Sequence, residues 1–455
     1  MIRNSGHADL PLHTGTVPRW LADRMMVLGT LITESLVENF GPDEVLVRLS
    51  DPLWFQSFGA VMGMDWHSSG ITTSVMYALK RGLNPRAKEL GIYVCGGRGK
   101  YSRLTPDELL DIAGREGLNG DELVRNSKLV AKVDNNAVQD GFQLYQHNFI
   151  LTKTGNWAVV QQGMNGAEKK ARRYHWCSTN LRSFVEEPHS GVVGDNRGKI
   201  LNLTDVEARE ARSSILEMSR EEPERMLREI VQIGKPANEM ILLQGGNSVQ
   251  IRKDPRVKPE DDKYFKPEDD KYFKSEDDKI IQGELFPELV PQLEVEQKGR
   301  SIIMPAHHEV REQDIDLKRL GGVLATAYQA QPQDFESLML TPGLGPRTLQ
   351  SLALVSEVIY GTPSRFTDPA RFSFAHGGKD GHPFPVPLKI YDESIRVLRD
   401  SIEKSKLGYK DKSDCIRRLH TAALTVEKNC APEVDFDGAI NYERQHSAEW
   451  DGRTV

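Results

Sequence analysis

The sequence predicts an α+β N-terminal domain, about 1–245, followed by a mainly α-helical C-terminal domain, about 301–410, containing a helix-hairpin-helix. Three observations predict it. Short β-rich runs alternate with capped helical runs in the first half. A charged repeat of period eight interrupts that pattern at 258–279. Beyond it, two helical runs flank Thr341-Pro342-Gly343-Leu344-Gly345, and glycine permits the tight turn a hairpin needs.

The elements of the first half follow in order. FGAVMGMDWHSSGITTSVMYALKRG, 58–82, reads as strand, turn and helix, with Ser68 or Ser69 as cap and Gly82 as terminator. Ile92–Cys95 is a short apolar strand, Gly96–Lys100 a loop, and Thr105-Pro106-Asp107-Glu108 a capping box. A long helix is expected at about 122–150, a strand at 156–164, and an amphipathic helix at 204–233 interrupted by Pro223.

The chain of 455 residues is too long for one core, which favours two domains and a linker. The net charge of −7 rules out a global basic field, so any nucleic-acid contact must be local. Cys95, Cys177, Cys415 and Cys430 form no CxxC pair, which argues against a zinc ribbon or a disulfide framework. No apolar run approaches the roughly 18 residues of a membrane span. The opening residues lack the apolar centre of a signal peptide, and a cytoplasmic protein is expected. Residues 246–300, with the proline-punctuated repeat, read as a solvated linker, and 411–455 as a weakly patterned tail.

The hairpin carries the functional expectation. Its first helix should cover about 332–340, and its second should run from Pro346 to about Tyr360, closed by Gly361. Leu338, Leu344, Leu352 and Val355 would form the shared core. Gly343 and Gly345 let the backbone approach a phosphate, and unpaired amides at the start of the second helix, around Arg347 and Thr348, point at it. DNA glycosylases with a similar hairpin place a catalytic aspartate shortly after it, where this chain has Asp368. A capping role in Thr367-Asp368-Pro369 is the competing reading. The loop 373–387 is dense in Gly, Pro and His, and its His376, Lys379 and His382 offer phosphate contacts or simple loop packing.

Candidate chemistry lies in the first half. On a helix at 122–150, Asp140 and His147 share the apolar face, and buried polar groups need partners. Asp65 and His67 lie before a helix start, where ligands often bind in α/β arrangements. Asp65, Asp134 and Asp140 form a plausible oxygen set for Mg²⁺ or Mn²⁺. His67 or His147 would move protons and Lys100 would stabilise phosphate charge. Arg172, Arg173 and His175 interleave cations with aromatics, as single-strand binding surfaces do. The bland alternatives are core polar groups tied to loops and a half-buried strand with a solvated basic face.

Several long motifs carry a resemblance. GMDWHSSGITTSVMYALKRG, GGRGKYSRLTPDEL, LVAKVDNNAVQDGFQLYQHNF, WAVVQQGMN, ARRYHW, SFVEEPHSG and SFAHGGKDGHPFPV resemble the prokaryotic "domain of unknown function 763" proteins over about 10–410. The resemblance implies a C-terminal helix-hairpin-helix and brings no established reaction. The expectation is a DNA-processing protein acting on single-stranded or branched DNA, leaning to a metal-dependent nuclease, with a second copy of the chain as a further partner. A non-catalytic DNA-binding protein and a glycosylase using Asp368 are the rivals.

Overall fold

The computed structural model of the chain describes residues 10–11, 19–64, 69–233, 317–371 and 384–433. Asp65, His67, His376, Lys379, His382, the 258–279 repeat and the tail past 433 lie outside the described residues. In chain order the elements begin with strand Leu10–Pro11 (β1), helices Arg19–Phe40 (α1), Pro42–Ser50 (α2), Pro52–Met62 (α3), Gly70–Leu83 (α4) and Ala87–Leu90 (α5), and strand Ile92–Arg98 (β2). Helices Thr105–Glu116 (α6) and Gly120–Lys132 (α7) lead through a π-helical turn at Val133–Ala137 into strand Val138–Gln139 (β3). Strands Gln143–Thr152 (β4), Trp157–Asn165 (β5), Lys170–Cys177 (β6), Gly191–Val193 (β7) and Lys199–Asn202 (β8) follow, then helices Arg209–Arg220 (α8) and Pro223–Ile233 (α9). Past residue 316 come helices Leu317–Ala330 (α10), Phe335–Met339 (α11) and Pro346–Tyr360 (α12), and strands Arg365–Thr367 (β9) and Phe384–Pro387 (β10). Helices Leu388–Lys404 (α13) and Tyr409–Asn429 (α14) and strand Cys430–Glu433 (β11) complete the series.

The centre is an antiparallel sheet in the order β1-β6-β5-β4-β2, with β7 also paired to β6. Successive side chains on a strand face opposite ways, and the packing follows that rule. Ile92, Val94, Ile150 and Val160 join an apolar cluster with α1–α4, α13 and α14. Tyr93, Cys95, Phe149, Leu151 and Val159 join a second cluster with α6–α8 and α10–α12. The sheet is therefore covered on both faces. Chain from both sides of 234–316 shares the second cluster, and β9 pairs with β8 in a small sheet ordered β3-β8-β9.

Several local expectations are corrected. Residues 58–62 are not a strand, because α3 runs to Met62 and closes on Gly63 at φ +108°. Gly82 lies within α4 rather than ending it, and a Cβ there would stand 1.9 Å from Thr30 Oγ1 on α1. Glycine is thus required for close helix packing. The capping box does not form. Glu108 instead accepts from the Gly96 amide and Lys80, both at 2.6 Å. The helix expected at 122–150 ends at Lys132, and its second half is β4. Gly141 at φ +87° turns the chain between them.

Candidate functional site

Two short helices and the turn between them occupy the expected hairpin positions. Asp334 caps α11 by accepting from Ser337 N, and Gly361 closes α12 in the left-handed region. Leu338, Leu344, Leu352 and Val355 are all buried in one cluster. Gly343 sits at φ +82° and Gly345 is the extended N-cap residue.

The turn is held from one side. Lys132, buried at the end of α7, donates from Nζ to the Thr341 and Leu344 carbonyls, each at 3.4 Å. Asn136 Nδ2 also donates to Leu344 O, at 3.2 Å, and Gln139 Nε2 to Pro346 O at 2.7 Å. A trans peptide sets its N–H opposite its C=O. With the Leu344 and Pro346 carbonyls drawn inward, the Gly345 and Arg347 amides face the other way. No described residue accepts from the Gly343 or Gly345 amide. Pro342 and Arg347 are exposed, and Gly343 and Gly345 half-buried. Thr348 is not part of the outer surface: its side chain is buried, and Oγ1 has no hydrogen-bond partner.

The polar residues expected elsewhere fall into three buried groups. In the first, Arg172 Nη1 donates to Asp140 at 3.0 Å and to both Asp368 oxygens at 2.9 Å. Asp140 also accepts from Tyr174 Oη at 2.6 Å and from the Phe142 amide at 3.0 Å. Asp368 also accepts from the Arg197 and Ala370 amides, each at 2.9 Å. Burial pushes the Asp140 carboxyl above its ordinary value, opposed by Arg172 and aided by Asp368. Burial, reinforced by Asp140, raises the Tyr174 phenol further. Both oxygens of Asp368 are engaged inside the protein, which fits the capping alternative rather than a group facing substrate.

The second group centres on Gln161. Its Nε2 donates to Asp134 Oδ2, and its Oε1 accepts from His147 Nδ1 at 2.7 Å. His147 is therefore the Nδ1–H tautomer, and Nε2 accepts from Ser127 Oγ at 2.9 Å. Asp134 also accepts from Trp176 Nε1 at 2.9 Å and pairs with His189 Nε2 at 2.5 Å. Burial holds His147 below its ordinary pKa, so it stays neutral. Asp134 and Asp140 thus belong to different hydrogen-bonded groups and do not converge. Among the described residues no three His, Cys, Asp or Glu side chains stand together as metal ligands.

The third group corrects the strand-binding surface. Arg172, Arg173 and His175 are each 0% exposed, so none faces a strand from the surface. Arg173 donates to Gln56 Oε1 and His175 Nε2, both at 2.8 Å, and lies over the Phe55 ring at 4.7 Å. His175 Nδ1 donates to Leu49 O at 3.0 Å. Burial pushes His175 well below its ordinary value, with Arg173 adding to the shift, and lowers Arg173 to about 9. Lys100 is half-buried, its ammonium 5.5 Å from the centre of the Tyr101 ring.

Residues 6–386 match the family described as Protein of unknown function (DUF763). The chain belongs to the DUF763 family. No curated protein and no solved structure matches it. The DUF763 match takes in both the 341–348 turn and the buried polar groups. Among the described residues no helix is long and apolar enough to cross a membrane.

Sequence reasoning missed the side chains that organise these places. Lys132 and Asn136 lie within the helix expected at 122–150, but their grip on a turn more than 200 residues away left no local mark. Gln139, Gln161 and His189 lie inside motifs that carry the family resemblance, but no chemical role was read at them. The available signal was the density of Gln, Asn and His within otherwise apolar strands.

Proposed function

We propose that this protein binds the sugar-phosphate backbone of DNA through a helix-hairpin-helix formed by α11, the 341–345 turn and α12. The observation that carries the reading is the inward seating of the turn carbonyls on Lys132, Asn136 and Gln139. That seating leaves the Gly345 and Arg347 amides facing outward at the start of a helix, beside the exposed Arg347 side chain. A helix N-terminus favours negative charge, and such amides make charge-assisted bonds to phosphate oxygens. Contacts of this kind carry no base information, so DNA of any sequence is the expected partner, and single-stranded or branched forms are the ones to test first.

The test is fluorescence anisotropy with single-stranded, duplex and branched oligonucleotides across a salt series. Gly345 has an extended backbone that other residues adopt, so the double variant Gly345→Val, Arg347→Glu is expected to fold. It should bind about tenfold more weakly and flatten the salt dependence by about one phosphate contact. Unchanged affinity and salt slope in a folded variant would reject the reading. A parallel arm with Mg²⁺, Mn²⁺ or EDTA decides whether binding is accompanied by strand cleavage.

A further inference from the structure

Across β2, β4, β5 and β6, one row of paired residues reads Arg98, Gln146, Gln162, Arg173. These residues lie on the sheet face covered by α1–α4, and the first turn of α4 sits against them. Gln162 Nε2 donates to Ser69 O at 3.2 Å, and Gln146 Nε2 to Thr72 O at 3.3 Å. Thr72 Oγ1 donates to Gln162 Oε1, and Arg173 Nη1 lies 3.4 Å from the same hydroxyl. Gln162 Nε2 also donates to the Tyr145 hydroxyl oxygen. The Ser69 carbonyl fixes that amide orientation, so the Tyr145 O–H must point elsewhere.

The row is rich in charge and donors and poor in acceptors. Arg173 is fully buried, and its partners are the neutral Gln56, His175 and Thr72 and the Phe55 ring. Arg98 is half-buried, and no carboxylate pairs with it or with Arg173 among the described residues. No described residue accepts from the Tyr145 O–H. A buried guanidinium without a counter-charge is costly, and the Phe55 ring offsets only part of that cost. One acceptor is also orphaned: Gln146 is 2% exposed, and its Oε1 has no donor. Arg98 and Gln162 flank Gln146 at cross-strand contact distance. Among the described residues, what would complete the row is therefore an anion that also carries a hydrogen to donate.

We propose that Arg98, Tyr145 and Gln146, backed by the charge of Arg173 and the first turn of α4, form a binding site for a singly protonated phosphate group. Arg98 and the Tyr145 O–H donate to its oxygens. The P–OH donates to Gln146 Oε1. Sulfate has the same shape and carries no hydrogen at neutral pH, so it leaves Gln146 unsatisfied. The site is independent of the 341–348 turn.

The full-length protein is titrated with inorganic phosphate and, separately, with sulfate, following its thermal unfolding midpoint. Phosphate should raise the midpoint at millimolar concentration and sulfate should do so much less. Arg98→Gln, at a half-exposed position, should weaken the phosphate response at least tenfold, and Tyr145→Phe should weaken it less. Gln146→Glu, which presents a like charge to the ligand, should abolish it. The double variant Gly345→Val, Arg347→Glu should respond as the parent does, which separates this site from the DNA-binding reading. Competition by a 5′-phosphorylated oligonucleotide, but not its 5′-hydroxyl form, would assign the phosphate to a strand end; competition by neither would assign it to a free phosphate. No phosphate response in the parent, an equal response to sulfate, or an undiminished response in Arg98→Gln would overturn the proposal.

Discussion

At the scale of single residues, Arg172 holds the most consequential position outside the two proposed binding sites. It is the one guanidinium bonded to both Asp140 and Asp368, and all three side chains are fully buried. Replacing Arg172 with Met leaves two carboxylates without their cation, which should cost about 3–5 kcal/mol. Urea denaturation at neutral pH measures that loss. Asp140 already has a raised pKa in the folded state. The stability linked to such a group is present at low pH and lost as pH rises through its folded value. The variant should therefore recover part of its stability as the pH is lowered, and a loss independent of pH would contradict this account. The segment ARRYHW shows why the sequence alone misplaced these residues. Cations alternating with aromatics read alike whether they face water or partners elsewhere in the chain. Asp140 lies 32 residues from Arg172 and Asp368 lies 196 away, so nothing local reveals which environment applies.

Among the elements, α7 and its π-helical turn act as the seat of the 341–345 turn. Lys132→Met keeps the apolar stem and removes three donors, leaving buried carbonyls less well satisfied. The expected loss is about 1–3 kcal/mol, with weaker oligonucleotide binding because the turn amides lose their fixed aim. Calorimetry and anisotropy on the same sample check both; full stability with full binding would remove α7 from the account. The two helices flanking the turn were legible because their signals are local: Pro346 at the first position, Gly361 at the close and an apolar period between. The segment 122–150 was not legible as helix followed by strand. Its strand half is buried on both sheet faces, so polar and apolar residues do not alternate cleanly, and projection onto a helix also produced an apolar face. The Asp140-Gly141 turn was the overlooked sign.

For the whole molecule, the sequence indicated an α+β assembly, and the sheet with its capped helices bears that out. It did not indicate that residues beyond 316 complete the cluster begun at 87. A protease site placed within 246–300 and cut after folding should give two fragments that co-elute and melt in one transition. Separation of the fragments without denaturant would contradict the shared core. The pairing of β9 with β8 also has a consequence for biosynthesis. Arg172 leaves the ribosome 196 residues ahead of Asp368. At about 5–20 residues per second, that is an interval of roughly 10–40 s. Throughout it the nascent chain holds a cation destined for the interior with half of its counter-charge not yet translated. Closure of the sheet's polar end is thus a late event, and chains terminated before Asp368 are the ones expected to depend on chaperones.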